Sequence, residues 1–372
     1  MRVALLVFPI HFSHGCILQT YALYSKLKEI GCDVTILDRQ PKQSSFPKYS
    51  FTITKRIIRK VFKGYKGAVF YKGWFPLRIM SEQQSFIDAF KDDIITIHSS
   101  DELGNIVRKG NFDAIVVGSD QTWRPSYVPN VMDYWLDFAS DISAIKITYA
   151  PSFGVDEWEY TPEQTAKCRQ LAALFNAISI REKSGVTLCK EHLDVDVKHV
   201  LDPTLLWGKS FYTPIAKKNP LESGFCQCYL LDQTTEKLTI ANQVAEMLNL
   251  KVNFINTRTE DGNAPVKERI APSIEKWLAG FLYGDFIVVD SFHAMVFSII
   301  FQKPFIVIGN KNRGLSRFES LLNDLGLRHR LITNLNNLNE VLEDTVDWEG
   351  VNIKLNRNKS IEFLTNALQC NS

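Results

Sequence analysis

The chain has 372 residues, of which 45% are apolar and 23% are charged, and its formal net charge is +2. A chain of this size and composition is expected to bury a large core and to divide into two domains. The balanced charge argues against a protein dedicated to nucleic acid, and no run reaches the ~18 apolar residues of a membrane-spanning helix. Seven scattered cysteines without a C-x-x-C pair indicate reduced thiols in a cytoplasmic protein.

The N-terminal half alternates between strand patterns and helix patterns. The opening "MRVALLVF" is interpreted as a buried strand because no cleavage site of small residues follows it. An amphipathic helix is predicted in "GCILQTYALYSKLKEIG", with Gly31 as its C-terminal cap. Further strands are predicted in "DVTILD", "FDAIVVGSD", "AIKITYAPSFG" and "NAISIRE". Strands separated by helical patterns indicate βαβ units and a parallel sheet.

The pattern restarts after residues 201–220, which are rich in Pro, Gly and Lys and show no clear periodicity. Strands are predicted in "LESGFCQCYLLD", "KVNFINT", "DFIVVD" and "PFIVIG", and helices in "TEKLTIANQVAEMLNL", "SIEKWLAGFLYG", "HAMVFSIIFQ" and "SRFESLLNDLGL". The predicted fold class is α/β, with two Rossmann-like, doubly wound domains that face a cleft in a GT-B-like arrangement. The domains are placed at 1–205 and 206–355, and a last helix at 356–372 is expected to pack back on the first.

The segment at 42–78 has an unusual composition. It contains ten Lys or Arg and no Asp or Glu, and aromatic residues are interleaved throughout. A basic amphipathic segment with aromatic residues can lie on an anionic membrane surface. The alternative is a solvated surface helix whose charge is balanced by acids elsewhere in the fold.

Polar residues follow the first predicted strand in "HFSHGC". The spacing of His11, His14 and Cys16 superficially resembles that of metal ligands. The turn is too short for a closed tetrahedral set, so no metal is predicted. Because this segment opens a helix at the carboxyl end of a strand, His14 and Gly15 are predicted to line the cleft on the acceptor side. Gly15 would let the backbone approach a ligand closely.

Two more strand ends carry candidate residues for binding an acceptor. In "VVGSDQTWRP", Ser119 and Asp120 end a buried strand where α/β folds bind ligands. Asp120 would accept a proton from a hydroxyl group or orient a sugar, and Trp123 would stack on a sugar ring. The alternative is that Asp120 only caps the following turn. In "YAPSFG", Ser152 is expected to contact a ligand in the same way.

Charged residues at three further strand ends indicate an anion site. Arg181 emerges where "NAISI" ends, unless it forms a structural pair with an acid. After "DFIVVD", Ser291 is a natural N-cap and His293 falls in the first helical turn facing the cleft; the alternative is a buried, satisfied histidine. Arg313 and Arg317 follow "PFIVIG". A histidine and two arginines at adjacent strand ends would make a pocket for a small, multiply charged anion.

These pieces together resemble the polysaccharide pyruvyl transferase family. Each piece alone is weak, but their order and spacing along most of the chain make the set specific. The matching pieces are "HGCILQTYAL", "VVGSDQTW", "YAPSFG", "ISIREKSG", "VLDPTLL", "VVDSFHAMVFSIIFQKPFIVI" and "RGLSRFESLL". The resemblance implies a GT-B-like fold and transfer of pyruvate from phosphoenolpyruvate to a sugar. The usual product is a cyclic ketal, often bridging O4 and O6 of a hexose in a cell-surface polysaccharide.

The resemblance also implies roles for particular residues. Arg181 corresponds to the family's anion-binding arginine, and His293 corresponds to the histidine after the late strand. Members often have an arginine two places before that histidine, where this chain has Ser291, so Arg313 or Arg317 is expected to supply the charge. His293 would protonate C3 of phosphoenolpyruvate, and Asp120 would assist the attacking hydroxyl. The scheme needs no metal and no cofactor, because phosphoenolpyruvate is a co-substrate.

Two other functions remain open on the sequence. One is a GT-B glycosyltransferase that uses a nucleotide-sugar donor, since a fold alone does not define a reaction. The other is a non-catalytic carbohydrate-binding protein in which the arginines are structural. For the transferase, the expected partners are phosphoenolpyruvate, a sugar acceptor carried on a lipid-linked oligosaccharide, and an anionic membrane surface, without nucleic acid. The expected location is the cytoplasm, at the inner face of the cell membrane.

The membrane hypothesis for residues 42–78 predicts binding to anionic lipid vesicles in a sedimentation assay. Binding is expected to weaken as salt is added, because the attraction between the basic segment and the lipid headgroups is screened. Neutralising Lys55, Arg56, Arg59 and Lys60 is expected to weaken it as well. Binding that does not depend on salt, or no binding at all, contradicts the hypothesis.

Overall fold

The structure, a computed structural model, describes residues 1–11, 13–42, 78–259, 261, 263–309, 314–334 and 338–369. Nearly all of the basic segment at 42–78 lies outside these ranges, as does Arg313 among the predicted donor-binding residues. Within the described ranges, no helix is both long enough and apolar enough to cross a membrane.

The first sheet has five parallel strands in the order β3-β2-β1-β4-β5. They are β1 (Arg2–Val7), β2 (Asp33–Arg39), β3 (Ile94–Ile97), β4 (Ala114–Val117) and β5 (Ile145–Thr148). The strands β4 and β5 are buried along their whole length, as expected when helices cover both faces of a parallel sheet. The sequence predicted four of these strands but not β3, which lies at the sheet edge. Two short strands, β6 (Ser179–Ile180) and β7 (Lys198–His199), pair separately.

Helices connect these strands in the first half of the chain. They are His14–Glu29, Gln84–Asp88, Ser100–Gly110, Val131–Tyr134, Pro162–Ala172 and Lys183–Leu193. The first helix begins after Ser13, whose side chain accepts a hydrogen bond from the Cys16 amide and so satisfies one of the free N–H groups of the first turn. Its C-terminal cap is Ile30, one residue before the Gly31 predicted from the sequence.

The second sheet repeats the same architecture, with five parallel strands in the order β12-β11-β10-β8-β9. They are β8 (Phe225–Tyr229), β9 (Lys251–Phe254), β10 (Phe286–Val289), β11 (Phe305–Ile308) and β12 (Leu331–Ile332). The order places β10 at the centre of the sheet, and its buried residues explain its unbroken apolar sequence. The edge strand β12 was not predicted, because two apolar residues carry no periodicity.

The helices of the second half are Lys209–Ala216, Thr235–Met247, Val266–Arg269, Ile274–Tyr283, Phe292–Ile300, Ser316–Leu325, Leu338–Glu343, Trp348–Leu355 and Arg357–Gln369. Short 3₁₀ turns occur at Lys91–Asp93, Asp137–Ala139, Pro203–Leu206 and Arg328–Arg330. The helix Phe292–Ile300 is buried on all sides, because it lies between the sheet and other helices. Its first turn is therefore held in place by the core.

The connection between the halves is ordered rather than extended. The 3₁₀ turn Pro203–Leu206 contacts the helix His14–Glu29, and the helix Lys209–Ala216 contacts Ile274–Tyr283. The last helix, Arg357–Gln369, contacts β5 and the same 3₁₀ turn. The Leu201 amide donates a hydrogen bond to Ser360 Oγ at 3.0 Å. The end of the chain thus packs against the first half.

The two halves share one apolar core. A continuous cluster of buried side chains runs from β1 and the first helix into β10 and the helix Phe292–Ile300. The halves also meet at their loops, because a Cβ on Gly314 would lie 2.1 Å from the Gly154 carbonyl oxygen. Gly314 has a φ of +79°, a conformation that glycine adopts without strain. These contacts fix how the carboxyl edges of the two sheets face each other.

Candidate active site

A cleft of about 1040 Å³ lies between the two halves. The first half contributes His14, Gly15 and Asp120 to its walls, and the second half contributes Ser291, His293 and Arg317. Each of these residues lies in the connection or the first helical turn that follows a parallel strand, at the edge where open α/β sheets bind ligands. The structure therefore brings together candidate residues that lie far apart in the sequence.

His293 lies in the first turn of the helix Phe292–Ile300, as predicted, and only 8% of it is exposed. Ser291 occupies the N-cap position with an extended backbone, but its side chain makes no capping hydrogen bond. The imidazole Nε2 of His293 lies 3.5 Å from Asp202 Oδ2. The histidine therefore combines a place on the cleft wall with a buried acidic neighbour.

The backbone at Gly15 is in contact with the side chain of His293. A Cβ built on Gly15 would lie 2.2 Å from Nδ1 of His293, far inside van der Waals contact. The ring therefore packs directly on the backbone of the first helix. The sequence predicted that the backbone at Gly15 approaches a ligand. In the structure, this backbone approaches the imidazole of His293.

Asp202 is the residue that sequence reasoning missed. It lies in the matching piece "VLDPTLL" and caps the 3₁₀ turn Pro203–Leu206. Its Oδ1 accepts hydrogen bonds from the Thr204 amide at 3.0 Å and the Thr204 hydroxyl at 2.6 Å, and its Oδ2 accepts one from Arg181 Nη1 at 2.7 Å. Burial disfavours the carboxylate, but His293 and Arg181 outweigh that cost and hold the pKa of Asp202 below its usual range.

Arg181 joins two carboxylates. Its Nη1 donates to Asp202, and its Nη2 lies 3.5 Å from Asp120 Oδ1. Its guanidinium also lies 4.9 Å from the ring centroid of Phe292, within range of a cation–π contact. The structure shows the ion pairing that was the alternative interpretation of Arg181, and contact of this arginine with a donor remains a prediction.

Asp120 lies at the end of β4 with a φ of +76°, a strained conformation for a residue with a side chain. Gln19 Nε2 donates to its Oδ2 at 2.7 Å, and the Gln121 amide donates to its Oδ1 at 2.9 Å. Burial raises the pKa of Asp120, but Arg181, His293 and Arg317 together lower it below its ordinary value. Asp120 is therefore ionised at neutral pH, which suits it to binding a cation or hydroxyl more than to taking a proton.

Arg317 is the described cleft arginine from the second half. It lies in the first turn of the helix Ser316–Leu325, and its guanidinium is 5.5 Å from the ring centroid of Phe292. Burial lowers the pKa of Arg317 to about 10, and the like charge of Arg181 contributes to the shift. A group with this pKa remains protonated at pH 7, in surroundings that would favour an added negative charge.

His14 also lines the cleft, where Pro272 and Trp277 contact its ring. Its Nε2 donates to the Pro272 carbonyl oxygen at 2.8 Å, and its ring stacks on Trp277 with 5.2 Å between centroids. Burial lowers the pKa of His14 to about 4, although the bond to Pro272 acts in the opposite direction. The imidazole is therefore neutral at pH 7 and is not a general acid.

Three predicted acceptor contacts are corrected by the structure. Trp123 is fully buried, stacks on Trp135 with 4.0 Å between centroids and donates through Nε1 to the Tyr134 carbonyl, so it cannot stack on a sugar. Ser119 Oγ donates to the Ala150 carbonyl at 2.7 Å. Ser152 Oγ accepts from the Gly154 amide at 2.9 Å. The chain turns back into the core after β4 and β5, so these side chains hold loops together instead of facing the cleft.

An apolar segment at 285–310 contains β10, the helix Phe292–Ile300 and β11. The polar residues that interrupt it have separate roles. The carboxylate of Asp290 accepts hydrogen bonds from the Leu231 amide at 2.6 Å and Lys237 Nζ at 2.6 Å, and also from the Asp232 amide. It therefore anchors the loop that follows β8.

In the described part of the chain, no cluster of three or more His, Cys, Asp or Glu side chains could hold a metal ion.

The comparison with protein families identifies the chain. Residues 14–312 match the family described as polysaccharide pyruvyl transferase. The chain belongs to this family. A search of curated proteins finds no match to the sequence.

Solved structures share the fold at low sequence identity. The UDP-GlcNAc 2-epimerase from Methanocaldococcus jannaschii is 14% identical, with a TM-score of 0.56 over 100% of both chains. The UDP-N-acetylglucosamine 2-epimerase from Rickettsia bellii is 10% identical, with a TM-score of 0.53 over 100% of this chain and 96% of that one. Arabidopsis thaliana UGT89C1, complexed with quercetin, is 11% identical, with a TM-score of 0.52 over 99% and 97%. The fold is GT-B-like, with two Rossmann-like domains.

The contact between Gly15 and His293 predicts that Gly15→Ala destabilises the protein. The added methyl group would force the imidazole or the first helix to move, at a cost of about 1–3 kcal/mol in the free energy of unfolding. Urea denaturation measures the change. Gly208→Ala is a suitable control, because a Cβ there meets nothing within 4 Å. Equal stability of the two variants would show that the imidazole does not pack on Gly15.

Proposed function

We propose that the protein transfers the enolpyruvyl group of phosphoenolpyruvate to a sugar of a surface-polysaccharide precursor. The product would be a cyclic pyruvate ketal, and phosphate would be released. Membership of the family supports the transfer of pyruvate to a polysaccharide sugar. The observation that carries the proposal is the position of His293, which lies on the cleft wall beside the ionised Asp202 and near Arg317.

The donor end of the cleft would lie around Arg317 and the first turn of the helix Phe292–Ile300. Phosphoenolpyruvate carries a phosphate and a carboxylate, and a guanidinium can bind either group through two parallel hydrogen bonds. The free N–H groups at the start of the helix favour an anion as well. Ser291 lines this end, and its hydroxyl is not used in capping the helix. These features support Arg317 as the arginine that replaces the one absent at position 291.

The proposed reaction assigns the first proton transfer to His293. The imidazolium gives a proton to C3 of phosphoenolpyruvate, the electron pair of the C2=C3 bond forms the new C–H bond, and C2 becomes electron-deficient. A sugar hydroxyl adds to C2 and returns its proton to the imidazole. The C2–O bond to phosphate then breaks with its electron pair. A second hydroxyl closes the ketal, and its proton leaves on the phosphate.

The acceptor would occupy the part of the cleft formed by the first half. The cleft volume of about 1040 Å³ reaches the upper end of the ~300–1,000 Å³ range of small-molecule pockets, so it has room for a sugar beside the small donor. Asp120, which is ionised, would orient a hydroxyl group towards C2. The neutral His14 lies on the same wall. Holding two hydroxyls beside one carbon would accelerate the reaction by proximity.

We also propose that the acceptor is a lipid-linked oligosaccharide at the inner face of the cell membrane. The ten Lys or Arg in residues 42–78 support this part of the proposal from the sequence. They would keep the protein near anionic headgroups while the cleft holds the sugar.

The donor defines the main experiment. The protein is incubated with an oligosaccharide acceptor and either phosphoenolpyruvate or a panel of nucleotide sugars, and products are analysed by mass spectrometry. A pyruvyl ketal and released phosphate are expected with phosphoenolpyruvate alone. Reaction with nucleotide sugars instead would identify a glycosyltransferase, and affinity for sugar without turnover would identify a binding protein.

In the same assay, His293→Gln is expected to lower kcat by about 100- to 10,000-fold, the usual contribution of general acid catalysis. Glutamine retains a polar side chain in the site but cannot deliver the proton. His329→Gln is the matched control, because His329 is exposed and pairs with Asp344 at 3.0 Å. Full activity of a folded His293→Gln protein would remove His293 from the mechanism.

Arg317→Gln is expected to raise the KM for phosphoenolpyruvate by about 10- to 100-fold, the equivalent of one hydrogen-bonded ion pair. Arg317→Lys retains the charge but not the paired geometry and is expected to be intermediate. Arg328→Gln is the control, since Arg328 pairs with Glu319 on the surface at 2.9 Å. An unchanged KM in Arg317→Gln would rule out this arginine as a donor contact.

A further inference from the structure

Both carboxylate oxygens of the buried Asp202 accept hydrogen bonds. Oδ1 accepts the capping hydrogen bond from the Thr204 amide at 3.0 Å. Oδ2 accepts from Arg181 Nη1 at 2.7 Å and also faces His293 Nε2 at 3.5 Å. Capping alone needs one oxygen, and a hydroxyl or amide would serve as well. The second oxygen, Oδ2, takes no part in capping, and it faces both Arg181 and His293.

We propose that Asp202 is a positioning residue for His293, whose Nε2–H it accepts so that Nδ1 is presented to the donor. The inference rests on the proposed function. The separation of 3.5 Å is long for a hydrogen bond, but such contacts in the absence of substrate often shorten when the ligand binds. The backbone of Gly15 supports the opposite side of the ring beside Nδ1.

In this arrangement, the proton that reaches C3 of phosphoenolpyruvate leaves from Nδ1. Nε2 keeps its own proton throughout, directed at Asp202, and Nδ1 regains a proton from the attacking sugar hydroxyl. Asp202 stays ionised during the cycle because Arg181 binds the same oxygen. The carboxylate would therefore stabilise the imidazolium before the transfer and fix the ring tautomer after it.

Six charged or titratable groups among the described residues lie on the elements around His293 and affect its protonation. The anions favour the imidazolium and the cations oppose it, so the balance depends on the closest group. Asp202 is the carboxylate within ion-pair distance. These groups are His14 on the first helix, Asp120 after β4, Arg181 after β6, Asp202 before the 3₁₀ turn, Asp290 after β10 and Arg317 on the helix Ser316–Leu325.

The test is the variant Asp202→Asn, because asparagine keeps the shape and the capping ability of the side chain but not its charge. Loss of the anion disfavours the imidazolium, so the pH at which His293 titrates is expected to fall by about 1–3 units. The basic limb of the kcat profile should move to lower pH by the same amount. The KM for phosphoenolpyruvate should change by less than about threefold, since Asp202 does not touch the donor.

Two readouts separate this inference from the proposed function. The ring ¹⁵N shifts of His293 report its titration in the protein without substrates, and the kcat profile reports it during turnover. A shifted titration without any pyruvyl transfer would support the pairing and refute the proposed reaction. Turnover with an unchanged pH profile and an unchanged titration would overturn the role of Asp202.

Asp324→Asn is the matched control, because the half-buried Asp324 lies 3.8 Å from another histidine, His199. It should leave the titration of His293 unchanged. If Asp202→Asn fails to fold, the wild-type protein still tests the inference. The carboxyl ¹³C shift of Asp202 should then change at the pH where His293 titrates, and a carboxyl signal that does not follow His293 would overturn the proposal.

Discussion

The site depends on one buried carboxylate shared between an arginine and a histidine. Removing three ionisable groups from water costs several kcal/mol for each ion unless they compensate one another. Asp202 meets that condition because Arg181 and His293 lie on its Oδ2 and Thr204 donates to its Oδ1. These residues come from β6, the 3₁₀ turn and the second sheet. Arg181 and Asp202 pair within the first half, and His293 joins them from the second, so all three groups meet only when the two halves are docked in register.

The apolar segments around this contact make it rigid. β10 is buried along its length, and so is every residue of the helix that carries His293. Gly15 brings the first helix against the imidazole, and Asp290, just after β10, anchors the loop that follows β8. The polar residues in the segment at 285–310 thus have three different roles. Asp290 binds the backbone of the loop after β8, Ser291 is the N-cap of the helix, and His293 lines the cleft.

The strand ends could be predicted from the sequence, because long apolar runs and helical periodicity define β1, β4 and β10 without tertiary information. Short edge strands such as β12 have too few residues to show a pattern. The direction of a side chain beyond a strand end is also not encoded locally, which explains why Trp123 was assigned to the cleft and lies in the core. Asp202 was missed because its partners are distant in the sequence and capping residues are common.

The absence of an arginine at position 291 does not leave the cleft short of positive charge. The charge of Arg181 is already matched by Asp202 and by Asp120. Arg317 lies against the same phenylalanine ring, in surroundings whose burial and like charge lower its pKa to about 10. The burial of Arg317 beside the like charge of Arg181 would favour an incoming phosphate or carboxylate. Under the proposed function, the neighbouring helix Ser316–Leu325 supplies the arginine that completes the donor site.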